Sequence, residues 1–157
     1  MLSDFPLHLV LASSSKYRKE LLTRFGLPFT TESPDIDETP LPSESPAETA
    51  LRLACLKAKA IGKQFPDAVV IGSDQVAECE GEAIGKPGTF ENAFAQLKKM
   101  RGKKVVFHTA LCVWNGRDAC PDDTLQKTTV DTCVTFRNLP DDELQAYLKT
   151  EEPYDCA

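Results

Sequence analysis

Three serines, Ser13 to Ser15, close an apolar run, and Lys16, Arg18 and Lys19 crowd the start of the segment that follows. If that segment is a helix, its N-terminus already carries about half a positive charge and four unpaired N–H groups. Each cation added there costs roughly 0.3–1 kcal/mol. Three of them in one turn point to something negative nearby. The hydroxyls of Ser13 and Ser15, the helix N–H groups and the forked guanidinium of Arg18 together make a seat for phosphate. The plainer alternative is a serine cap followed by solvated charges, and the pattern alone leaves both open.

A second stretch, VVIGSDQ, ends an apolar run in Asp74. Ligands of open α/β sheets bind beyond the carboxyl ends of strands, so Asp74 is placed to hold a metal or orient a water. A turn or cap residue fits the pattern equally well. GEAIGKPGT approaches a phosphate-binding P-loop, but Gly81 and Gly85 enclose three residues rather than four, and Pro87 stands where a magnesium-binding Ser or Thr is required. Lys86 is left as a point charge for phosphate or as a surface lysine of a hairpin. Glu38 lies in the acidic run DIDETP, where solvated charge is the ordinary reading. Lys57 falls three residues after Ala54 and four before Ile61, at the border of an apolar stripe. There it either snorkels or lines a cleft. His8 is read inside the apolar first strand and His108 as packed or catalytic, so Ser-His-Asp and Cys-His chemistry gain little support.

The elements that must carry these groups follow from periodicity and caps. Leu7–Ala12 reads as a buried strand and Ser15–Phe25 as a helix ended by Gly26. Residues 33–46 are acidic, proline-rich and irregular. Ser45-Pro46-Ala47-Glu48 forms a capping box with proline at the first helical position. The helix it opens should run to about Phe65, burying Leu51, Ala54, Ala58, Ile61 and Phe65. Ala68–Gln75 is a strand, Val76–Pro87 a hairpin, and Thr89 caps a helix stopped by Gly102. Lys104–Trp114 and Lys127–Arg137 are strands, and Pro140–Leu148 is a short acidic helix. Interleaved strands and helices define an α/β or α+β domain.

Composition narrows the class. At 157 residues the chain holds one domain, or two small lobes sharing a core. A net charge of −6 argues against general nucleic-acid or anionic-membrane binding, so any attraction for an anion must be local. The apolar run at Leu7–Ala12, preceded by Asp4, is too short for a signal core or a membrane span. The six cysteines (55, 79, 112, 120, 133 and 156) form no C-x-x-C pair and are read as free thiols of a cytoplasmic protein. With only two histidines, any metal is expected to be a hard cation held by carboxylates and phosphates.

LASSSKYRKELL, DIDET, LRLACLKAKAIG, VIGSDQV, GKP and FHTALCV follow one another in an order and at separations that resemble the Maf family of nucleotide pyrophosphatases. The likeness covers nearly the whole chain. It implies a single Maf-like domain over residues 1–157, with a mixed twisted sheet flanked by helices. The implied fold is elongated and two-lobed, with a central cleft as in the inosine-triphosphate pyrophosphatases. It also implies hydrolysis of a nucleoside triphosphate between the α and β phosphates, a divalent metal (Mg²⁺ or Mn²⁺) and a homodimer. Ser13, Ser15 and Arg18 would hold phosphates. Glu38, Lys57, Asp74 and Lys86 match the family's polar set, with Asp74 as proton acceptor and Glu38 and Asp74 on the metal. The family's S-x-S-P-R-R turn appears here as SSSKYR, with Tyr17 in place of the first arginine, and GADT appears as GSDQ. Tyr17 and Gln75 resemble the YceF branch, whose implied substrate is 7-methyl-GTP. The family continues beyond DCA with a Gly-Ser turn and a final helix, so EEPYDCA is expected to stop short of a closing segment.

Two rival functions stand beside this expectation. A non-catalytic nucleotide-binding regulator of cell division would use the same basic seat without hydrolysis. A phosphatase acting on monophosphates would release phosphate rather than pyrophosphate.

Overall fold

The computed structural model describes residues 7–117 and 125–156. Asp4, Cys120 and the final alanine of the DCA stretch lie outside the described residues. The elements, in chain order, are β1 (Leu9–Ala12), α1 (Lys16–Thr23), β2 (Thr30–Glu32), α2 (Pro46–Gly62), β3 (Val69–Cys79), β4 (Glu82–Ile84), α3 (Phe90–Met100), β5 (Lys104–Asn115), β6 (Leu125–Thr135) and α4 (Asp141–Glu151). The strands form a mixed sheet in the order β2-β1-β3-β5-β6, with β4 paired to β3. The chain groups into two compact units, residues 1–74 with 109–129 and residues 75–108 with 130–157.

In the first unit β1 pairs parallel with β2 on one side and β3 on the other, the latter register running from Leu9↔Val69 to Ala12↔Gly72. All four β1 residues are buried, as expected of a parallel strand covered on both faces. The capping box opens α2 as expected: Ser45 Oγ accepts from Glu48 N, and Glu48 Oε2 accepts from Ser45 N at 2.8 Å. The buried face of α2 runs through Ala50, Leu53, Ala54, Lys57, Ala58 and Ile61. This corrects the expected stripe, because Leu51 and Phe65 are only half-buried. Small residues mark the contact. A Cβ on Gly72 would lie 2.2 Å from the Ala54 carbonyl oxygen and 2.9 Å from Ala58 Cβ, so α2 rests directly on the β3 backbone. Burial of Ile61 and Val70 contributes roughly 1.5–3 kcal/mol each. At its far end α2 stops under Trp114, whose ring fills the space beside Gly62.

β3 does not end at Gln75 as expected; it continues to Cys79. Parallel pairing with β1 stops at Gly72, and antiparallel pairing with β4 begins at Ala77. Asp74 therefore lies beyond the carboxyl end of β1 but inside its own strand. His8 also differs from expectation: it precedes β1, is exposed, and sets its ring edge-on to Phe65.

The second unit has its own core, Ala77, Cys79, Ile84, Met100 and Val105 with Leu97, Phe107 and Phe136 against it. Thr89 Oγ1 caps α3 by accepting from Asn92 N, and α3 and α4 pack together. Asp141, Asp142 and Glu143 favour the N-terminus of α4 through its dipole. Gly102, at φ +71°, lets the chain turn out of α3 and donate to the Phe136 carbonyl. Among the described cysteines, Cys79 and Cys112 are buried and Cys133 is exposed, and Cys55, Cys79, Cys112 and Cys133 are free thiols.

His108 is buried between two carboxylates, Nδ1 against Asp131 Oδ1 at 2.8 Å and Nε2 against Glu78 Oε2 at 2.7 Å. Burial favours the neutral ring, but Glu78 and Asp131 outweigh it and raise the imidazole above its usual pKa. The stabilisation from this group is full below the unfolded value near 6.5 and is lost as pH rises through the higher folded value. Thermal unfolding should therefore show stability falling with pH just above that point, by at most about 1.4 kcal/mol per pH unit for one proton. His108→Gln should flatten that slope. A slope unchanged in the variant would remove His108 from the linkage.

Candidate active site

The turn after β1 is built around Ser13. Its buried Oγ accepts from Ser15 N at 3.1 Å and from Arg18 Nη1 at 3.4 Å. Ser15 caps α1 by accepting from Arg18 N at 3.3 Å. Position 18 is one helical turn beyond the cap, which folds the guanidinium back over Ser13. No acidic residue offsets the cations in this first turn. Arg18 is half-buried while Lys16 and Lys19 are exposed, so Arg18 is the cation that faces the serines.

The contact of α2 with Gly72 places Lys57 against Asp74, two residues further along β3. Lys57 Nζ donates to Asp74 Oδ1 at 2.8 Å and forms an ion pair with Glu38 Oε1 at 2.9 Å. The lysine is central to the buried face of its helix, not at the border where spacing put it. Lys57 and Asp74 are each only 7% exposed, whereas the Glu38 side chain is 60% exposed. The buried pair is expensive to desolvate, and removing one partner from such a pair typically costs about 3–5 kcal/mol. Burial pushes Asp74 above the usual carboxylate range. The Lys57 hydrogen bond and charge and the Arg18 charge work against that shift, and Glu38 adds to it. A carboxylate raised in this way is better matched to taking a proton near neutrality.

The acidic segment before α2 is not merely solvated. Asp37 Oδ1 accepts from Thr39 N at 2.9 Å. Glu44 meets Arg52 in a two-pronged ion pair, one prong being Arg52 Nη2 to Glu44 Oε2 at 2.9 Å. Glu44 Oε2 also accepts from Leu41 N and Thr49 Oγ1, while Arg52 Nη2 donates to the Thr39 carbonyl at 3.1 Å. Arg52 holds the Glu44 carboxyl down to about 2. Sequence reasoning missed both residues. Their spacing of eight straddles a loop and a cap, so neither helical nor strand periodicity points to it.

The first unit thus brings together Ser13, Ser15, Arg18, Glu38, Lys57 and Asp74 from the expected set. Tyr17 stands in the first turn of α1, 47% exposed, with Lys16 Nζ 5.0 Å from its ring centroid. Gln75 and Lys86 belong to the second unit, and both are exposed. Lys86 sits between β4 and α3, where Gln96 donates to the Gly85 carbonyl and Asn92 to the Pro87 carbonyl.

Among the described residues, no three histidine, cysteine, aspartate or glutamate side chains converge as a metal cage. Glu38 and Asp74 do converge on one cationic point, the Lys57 ammonium. Two carboxylates fit a hard divalent ion that draws its other ligands from phosphate oxygens and water.

The fold defines the class first. The chain shares its α/β architecture with the Ham1 protein of Staphylococcus aureus, at a TM-score of 0.56 and 17% identity over 83% of this chain and 72% of that one. The family is narrower: the chain belongs to the Maf family, matched as a Maf-like protein over residues 8–157. It is 54% identical to the 7-methyl-GTP pyrophosphatase of Cupriavidus metallidurans, over all of this chain and 77% of that protein. It is likewise 54% identical to the 7-methyl-GTP pyrophosphatase of a Polaromonas species, over 95% of this chain and 66% of that protein. The chain spans about two thirds to three quarters of these relatives' lengths. No helix among the described residues is long and apolar enough to cross a membrane.

Proposed function

We propose that this chain is a nucleoside triphosphate pyrophosphatase that hydrolyses 7-methyl-GTP to the monophosphate and pyrophosphate. The observation that carries the reading is the buried Lys57–Asp74 pair, set within electrostatic range of Arg18. A protein that only held nucleotide would need the cationic turn but not a desolvated carboxylate beside it, which weighs against the regulator. The names of the relatives support the substrate.

Ser13, Ser15 and Arg18 hold phosphate oxygens in this scheme. Asp74 accepts the proton of the attacking water as it forms its bond to the α phosphorus in line with the departing pyrophosphate. Arg18 and Lys57 offset the charge that builds on the leaving group, and Lys86 enters the scheme on family resemblance alone. Glu38 and Asp74 would hold Mg²⁺ or Mn²⁺, which when bound neutralises phosphate charge and polarises the reacting phosphoryl group. Tyr17 reads the base, and Gln75 enters the scheme on family resemblance alone. A cytoplasmic location and a homodimer belong to the same proposal, the first supported by the free thiols and the second by family resemblance.

Product analysis over a panel of triphosphates, methylated GTP included, tests the reading. Pyrophosphate and a monophosphate are expected; free phosphate alone would sink it. The Tyr17 assignment has its own test. A methylated guanine is cationic, and attraction to an aromatic face is worth about 0.5–2 kcal/mol. Tyr17→Ala should raise KM for 7-methyl-GTP by roughly 2- to 30-fold more than for GTP. Equal rises for both substrates would refute stacking.

A further inference from the structure

We propose that Arg52 is a positioning residue: by clamping residues 39–44 onto α2, it fixes Glu38 at the Lys57–Asp74 pair. The assignment of Glu38 to the reaction rests on the function proposed above; the clamp rests on geometry alone.

Glu38 needs such a device. Its side chain is 60% exposed, and its ion pair is with Lys57, whose ammonium also serves Asp74. A half-solvated ion pair is too weak to offset the entropy of ordering an irregular, proline-containing loop. The ordering must come from elsewhere, and the hydrogen bonds converge on one guanidinium. Arg52 holds the Glu44 carboxylate from one side and the Thr39 carbonyl from the other. Thr39 directly follows Glu38, and its N–H is taken by Asp37. Glu44 in turn collects Leu41 N and Thr49 Oγ1, tying loop and helix at a second point. Arg52 and Lys57 share one helix, so the group that fixes the loop and the group that receives Glu38 move together. A lysine at position 52 would keep the charge but lose the fork that spans a carboxylate and a carbonyl.

The test compares the wild-type chain with Arg52→Lys and with Glu44→Gln, which opens the same clamp from its other side. Amide hydrogen exchange is read without nucleotide, Mn²⁺ binding alone by calorimetry, and pyrophosphate release at saturating 7-methyl-GTP. Exchange of residues 37–44 should quicken at least tenfold in both variants, with residues 53–61 of α2 unchanged. Mn²⁺ affinity and kcat should each fall about tenfold, with KM within about threefold. The inference is overturned by unchanged loop exchange, by exchange that quickens equally through α2, or by a freed loop with normal Mn²⁺ affinity. A wild-type chain that releases no pyrophosphate would instead remove the proposed function, and exchange and Mn²⁺ binding would still decide the clamp.

Discussion

Asp74→Asn is expected to lower pyrophosphate release by roughly 10²–10⁴-fold, the usual contribution of a positioned general base. Asparagine keeps the size of the side chain and an oxygen that can accept from Lys57 Nζ, now 2.8 Å from Asp74 Oδ1. It cannot take a proton from water. The proposed phosphate seat at Ser13, Ser15 and Arg18 is untouched, so nucleotide affinity should stay within about threefold while kcat collapses, the pattern of an interaction made only in the transition state. Titration calorimetry with a triphosphate, run beside the kinetic assay, separates the two quantities. Near-normal turnover would take Asp74 out of the mechanism.

Gly72→Ala should damage stability and turnover together. The new methyl would lie 2.2 Å from the Ala54 carbonyl oxygen, 2.7 Å from Ala58 N and 2.9 Å from Ala58 Cβ. Two of these atoms are backbone and the third is a Cβ, so no side-chain rotation relieves the clash. Helix α2 must lift from β3. Overpacking of this kind costs about 1–3 kcal/mol. For a chain of this size that corresponds to a fall in Tm of roughly 2–12 °C. The same lift draws Lys57 away from Asp74, and a misplacement of about 1 Å can cost around a hundredfold in rate. Calorimetry and kinetics on one preparation check both effects. Unaltered Tm with unaltered kcat would mean that the helix does not depend on this seat.

What the sequence made legible was local. Ser15, Ser45 with Glu48, and Thr89 act as caps because a cap is decided by residues three positions apart. The contact of Ser13 with Arg18, five residues on, is of the same kind. Periodicity placed Ala54, Ala58 and Ile61 of α2 correctly on the buried face but centred that face wrongly. The face also takes in Ala50, Leu53 and Gly62 and leaves Leu51 and Phe65 half-buried, and this is why Lys57 was expected at the border. β3 was cut short for a different reason. Its partner changes from β1 to β4 between Gly72 and Ala77, and a change of partner leaves no mark on one strand's own alternation. The link from Arg52 to Glu44 has no period at all. The proposed substrate and the proposed roles of Gln75 and Lys86 rest on family likeness, because base recognition and a lone surface lysine have no spacing of their own.

The histidine held by Glu78 and Asp131 bears on the range of acidity in which the protein can work. Below some point Asp74, already reluctant to ionise, keeps its proton and has no vacancy for another. Toward alkaline pH a separate effect enters at His108, whose loss of a proton removes the stabilisation it draws from Glu78 and Asp131. The two effects are therefore separable. A form meant for alkaline conditions can be sought by redesigning residues 78, 108 and 131 alone, leaving every group that would meet the nucleotide as it is.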